Sequence, residues 1–260
     1  MKTPNKWFEP SRFMLLLRRD ITTHYKSLLI GIGAVAALYI FFLVFIPSFM
    51  DNPQPFIDED FHTGGYLFAM FLGGLWFSAG IWSDVNTTQQ RQFFLTLPAS
   101  DLEKYISKWL ITGPLFLLAF TFIYWLFSML VNVIALGYPG VAYWQLDMMG
   151  NEVITKLVPY YLLSQPMFLA GGIWFGRFAF IKTALVALAL ELLLIGFVAW
   201  LGGVLFAGMG DMLEQEVNVQ IDKLDQLGLG FLNTLSWLFT LLTAIFFTVL
   251  GYIRLKERGA

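Results

Sequence analysis

Six long apolar stretches, at 28–49, 64–82, 109–136, 157–176, 183–206 and 229–253, account for more than half of this 260-residue chain. An α-helix rises about 1.5 Å per residue and a bilayer's hydrocarbon core is about 30 Å thick, so roughly 20 apolar residues cross it. Backbone in lipid must satisfy its own hydrogen bonds, and the runs lack the alternation of barrel strands, which leaves helices. We therefore expect an all-α integral membrane protein with six transmembrane helices. The side chains are 58% hydrophobic and only 13% charged, against about 25% charged in soluble domains. With no cysteine, disulfides, thiolate catalysis and Cys-ligated clusters are excluded. A formal net charge of −2 gives no electrostatic pull toward nucleic acid.

Short loops rich in Lys and Arg stay in the cytoplasm. Threading the six spans from inside to outside places 14 of the 16 basic residues on one side, all but Lys156 and Lys223. Both termini are then cytoplasmic. Asp58, Glu59 and Asp60, and later Asp211, Glu214, Glu216, Asp222 and Asp225, fall on the other face. Trp82, Trp109, Trp174 and Trp200 sit at span ends, as interfacial anchors do. The first apolar run follows a lead of 27 residues without a cleavage pattern, so it is expected to be a retained span. The resulting organisation is a lead over 1–27, one membrane domain over 28–253 with a cytoplasmic connection at 83–108 and an outer connection at 207–228, and a cytoplasmic tail at 254–260.

Two segments outside the spans carry local order. In the lead, Phe13, Met14, Leu17, Ile21 and Tyr25 recur at helical spacing, while Arg12, Arg18, Arg19, Thr22 and Lys26 populate another surface. This is the pattern of an amphipathic helix lying at the interface, its basic residues toward anionic headgroups. In the connection at 83–108, Ser100 precedes Glu103 by three residues, the signature of a capping box, and Asp101 adds negative charge to the first turn. Pro98 separates this helix from Phe93, Phe94 and Leu95, and from Asp101 the helix is expected to run unbroken into the third span.

The segment from Leu95 to Leu110, read with the basic amphipathic lead and the six-span, termini-in plan, resembles the permease subunits of ABC-2-type transporters. The resemblance implies that this segment is a coupling helix resting on a separate ATP-binding subunit, with Leu97, Pro98, Ser100, Asp101, Glu103 and Lys104 as coupling residues. It implies that the lead is a connecting helix, with Phe13, Leu17, Arg18, Arg19 and Ile21. It also implies an exporter in a bacterial cell membrane, built from two permease subunits around the path, as a homodimer or heterodimer. ATP and Mg would sit on the partner ATPase, and this chain would bind no cofactor itself. No GxxxxGK[ST] phosphate loop is present, so ATP hydrolysis is expected elsewhere.

Within the spans, Glu191 is the one clear ionisable group; carboxylates there are costly, by about 2.5–3.5 kcal/mol at a helix centre. It either lines or gates a path, or is hydrogen-bonded to a neighbouring helix. Gln165 and Pro166 mark a place where the fourth span frees a carbonyl and bends, as a hinge or as a static kink, and Gly171 and Gly172 permit close helix approach. His24 and His62 form no HExxH, and GxSxG is absent, so no catalytic or metal-ligating residue is assigned. The competing reading is a polytopic membrane enzyme or a structural bundle without an ATPase partner.

Overall fold

The computed structural model describes residues 8–26, 29, 33, 59–86, 88–135, 151–206 and 221–259, and among them there is no strand. Helix α1 covers 10–26. It is followed by α2 (Glu59–Gly80), α3 (Ser83–Asn86), α4 (Thr88–Leu95) and α5 (Asp101–Leu110). A π-helical turn, Ile111–Leu115, connects α5 to α6 (Phe116–Ala135). The remaining helices are α7 (Glu152–Phe175), α8 (Ala179–Phe206) and α9 (Ile221–Gly259). Apart from residues 29 and 33, the expected span at 28–49 lies outside the described residues, as do Asp58 and the segment at 207–220 of the expected outer connection.

Three helical stretches, Asp101–Leu130, Ala179–Leu201 and Trp237–Arg258, are long and apolar enough to cross a membrane. This is the build of an integral membrane protein. From Ile221 the outer connection is already part of the last helix, whose 39 residues extend for about 58 Å, well beyond a hydrocarbon core.

At the centre stands α7, packed against α9, α2 and α8. Its first turn is capped by Asn151, whose side-chain oxygen accepts from the amides of Val153 and Ile154. From Gln165 to Ile173 every residue is buried. Gly171 and Gly172 permit that packing. A Cβ on Gly172 would stand 2.5 Å from the Ala79 carbonyl oxygen and 2.8 Å from the Trp82 ring, and one on Gly171 would run into Thr183.

Two aromatic cores flank this contact. Tyr66, Met70, Phe116, Phe120, Tyr124, Ile154 and Tyr161 form one, in which Tyr66 meets Tyr124 edge-on at 5.3 Å. Trp82, Phe94, Tyr105, Ile111, Leu169, Ile173 and Leu255 form the other, at the end where the basic residues of α5 and α9 gather. Leu17 of α1 and Leu97 pack against this second core.

The helix that begins at Asp101 is not uniform, contrary to the expectation of an unbroken α-helix. Pro114 lies inside it, lacks an amide hydrogen and crowds the preceding turn, and the chain accommodates it by widening into the π turn. The amide of Phe116 consequently reaches the carbonyls of Gly113 and Ile111.

Replacing Gly172 with Ala is expected to destabilise the detergent-solubilised protein by about 1–3 kcal/mol, because backbone at Ala79 has to move. Gly73→Ala, where an added Cβ meets nothing within 4 Å, gains the same helix propensity without the clash and serves as the comparison in the same thermal-unfolding measurement.

Candidate functional site

The capping box forms as its spacing requires. Ser100 adopts an extended conformation, with φ −68° and ψ 155°; its hydroxyl accepts from the Glu103 amide while the Glu103 carboxylate accepts from the Ser100 amide. That carboxylate has a second task, because α1 runs alongside α5. Arg12 donates to it through two nitrogens, Nε to Oε2 at 2.9 Å and a terminal nitrogen to Oε1 at 2.8 Å. The backbone amide of Glu9 adds a bond to Oε1 at 2.7 Å, and the Ser100 amide one to Oε2 at 2.8 Å. Four donors thus converge on a carboxylate with no solvent exposure. The bidentate geometry suits the fixed fork of a guanidinium, and the hydrogen bond to Glu103 raises the pKa of Arg12.

A second junction lies about two helical turns further along α1. Asp20 and Lys108 are both fully buried, with Lys108 Nζ 3.3 Å from one carboxylate oxygen. Ser107 donates its hydroxyl to the other oxygen at 2.9 Å. Lys108 Nζ also stands 3.1 Å from His24 Nε2, and the His24 ring meets Phe77 edge-on. Arg19 flanks Asp20 at 3.8 Å. Arg12, Leu16, Asp20 and His24 are four residues apart, so α1 turns one continuous stripe toward α5 and its surroundings.

From this junction polar contacts continue into the bundle. Thr112, in the π turn, donates its hydroxyl to the Lys108 carbonyl at 2.9 Å. Gln165 of α7 donates its amide to that same hydroxyl oxygen, and Tyr161 donates to the Thr112 carbonyl at 2.7 Å. Lys108 thus meets α1 through its ammonium and Thr112 through its carbonyl, and Thr112 in turn meets the central helix.

The expected coupling residues divide into two sets. Pro98 is exposed, Leu97 is half-buried against the basic-end core, and Asp101 is half-buried. Glu103 and Lys104 are buried; Lys104 lies 4.0 Å from Asp101 and places its ammonium over the Phe94 ring at 5.1 Å. They hold the elbow from inside, while its outer surface is made by Pro98, Thr96 and Phe93. On α1, Phe13 packs on Phe8 at 5.3 Å, Leu17 is half-buried, Arg19 is beside Asp20, and Arg18 and Ile21 are exposed. Gln165 and Pro166 are buried in α7, whereas Glu191 is exposed on α8. No hydrogen bond or ion pair joins Glu191 to Gln165 among the described residues.

Sequence reasoning missed Glu9, Arg12, Asp20, His24, Ser107 and Lys108 as a functional group. The available signal is the spacing of Arg12, Asp20 and His24 by eight and then four residues, which puts them on one helix face; basic residues on an amphipathic lead read first as headgroup contacts. Among the described residues no cluster of His, Asp and Glu could hold a metal ion. No family model, curated protein or solved structure matches the chain.

Truncating Arg12 to Ala is expected to destabilise the protein because the buried Glu103 carboxylate loses its counter-ion, and truncating Glu103 to Ala because the capping box and the tie to α1 are lost together. The double variant is expected to lose less than the sum of the singles, a coupling read by a double-mutant cycle of chemical unfolding.

Proposed function

We propose that this chain is the permease subunit of an ATP-driven exporter of the ABC-2 type. In this reading six spans, with both termini in the cytoplasm of a bacterial cell membrane, form half of a translocation path. A second permease subunit completes the path. Separate ATP-binding subunits bind ATP and Mg and press on the elbow before α5.

The observation that carries the proposal is the relay from Asp20 through Lys108 and Thr112 to Gln165. A transport subunit powered from outside needs a surface for the partner and a stiff route inward. The exposed elbow at Pro98 supplies the first. The second follows from the two buried junctions: a displacement of α5 carries α1 with it and reaches α7 through groups in direct contact. Pro98 and Asp101 then act by touching the ATPase. Glu103, Lys104 and Arg12 act by keeping the elbow rigid, and Gln165 acts as a receiver within the bundle. Glu191, exposed on a largely uncovered helix, fits a position toward the path or the second permease.

The test is purification of the tagged chain from its native membrane with ATP hydrolysis measured on the product. We expect a co-isolating ATPase whose yield falls several-fold with Pro98→Ala combined with Asp101→Ala, membrane insertion being unchanged. Gln165→Leu is expected to retain the ATPase while lowering the coupling of hydrolysis to transport. A chain that isolates without any ATPase and remains fully active overturns the proposal.

A further inference from the structure

The chain reverses between α7 and α8 in the three residues Gly176, Arg177 and Phe178. Both flanking residues of this turn have positive φ, 56° at Gly176 and 60° at Phe178. Glycine accepts that conformation without penalty, but in Phe178 it is a true outlier for a bulky side chain. The turn holds its aromatic ring outward, with Phe178 61% exposed and Trp174 47% exposed.

Each of these two rings carries a guanidinium. Arg177 lies over Phe178 at 5.1 Å and Arg254, from α9, over Trp174 at 4.8 Å. The contact between Arg254 and Trp174 brings the last turns of α9 to the α7–α8 turn. Beside Arg177 and Arg254 the two segments also carry Lys182, Lys256 and Arg258, with Glu257 as their one acidic residue. Glu257 engages one terminal nitrogen of Arg254 at 2.7 Å, and the Arg254 side chain remains 36% exposed. Arg258 stands within electrostatic reach of Arg254 and of Arg91. Cations concentrated in this way, with donors in reserve, are stabilised by an anion placed among them.

The position within the bundle selects the anion. The turn ends α7 and begins the stretch Ala179–Leu201, which is apolar enough to cross a membrane, so it stands at headgroup level. Exposed Trp and Phe suit that layer, and Lys and Arg beside a span attract anionic lipids. We propose that Arg177, Lys182 and Arg254, over the floor of Trp174 and Phe178, form a binding site for the phosphate of an anionic phospholipid headgroup. The proposal depends on the chain spanning a bilayer and not on the transport reading.

The experiment uses the full chain in nanodiscs of phosphatidylcholine, or of phosphatidylcholine and phosphatidylglycerol in equal parts, with retained lipid counted by native mass spectrometry. Phosphatidylglycerol is expected to be retained in preference to phosphatidylcholine. Arg177→Gln, Lys182→Gln and Arg254→Gln should each weaken that retention about fivefold, the effect of one basic charge near the surface. Lys156→Gln, which removes an exposed cation paired with Glu152, should leave it unchanged, and thermal unfolding identifies variants that remain folded. Equal retention of the two lipids, or an equal loss in Lys156→Gln, overturns the site. Displacement of the lipid by free glycerol phosphate would assign the anion to a soluble phosphate and overturn the lipid source.

Discussion

A carboxylate removed from water is tolerated only when its oxygens are saturated with donors, and the organisation of this protein's basic end follows from how Glu103 meets that demand. Two of its donors belong to the elbow and the lead backbone, the amides of Ser100 and Glu9, and two to Arg12. One side chain therefore closes the first turn of α5 and fastens a helix 91 residues earlier in sequence. Asp20 and Lys108 form a second buried ion pair farther along the same two helices, with one Asp20 oxygen held by the Ser107 hydroxyl and the other facing the ammonium without a hydrogen bond. Two anchor points between parallel rods suppress sliding and swivelling together, which a single ion pair does not.

Where α1 and α5 form one body, α7 forms the frame it works against. Its buried run from Gln165 to Ile173 combines a polar contact with small residues. Gln165 bonds the π turn, while Gly171 and Gly172 bring α8 and α2 against the backbone. The polar contact is directional and the packed one is not.

Much of this was legible in the sequence where the determining interaction is local. Ser100 and Glu103 announce the capping box three residues apart, and apolar runs announce helices by length alone. The partners of Glu103 and Lys108 were not legible, because no local rule ties Arg12 or Asp20 to residues about 90 positions away. In α1 the apolar residues Met14, Ile21 and Tyr25 are exposed, as a face turned to the acyl boundary requires, whereas Asp20 and His24 are buried toward α5, a stripe that hydropathy does not mark. Pro114 stands in the sequence but the expectation of an unbroken helix passed over it; whether a proline ends, kinks or widens a helix depends on neighbours such as Tyr161, which donates to the Thr112 carbonyl. Glu191 was legible as an anomaly and remains one on the exposed side of α8.

The π turn also sets the angular phase of everything after it. An additional residue within one helical turn offsets the downstream helix by about 100° from the phase that uninterrupted α-helix would give. Phe116, Phe120 and Tyr124 reach the aromatic core on this shifted phase, while Glu103, Ser107 and Lys108 keep the original one toward α1. The two ends of a single continuous rod are thereby aimed independently, so that one helix answers to two different neighbours without a loop between them.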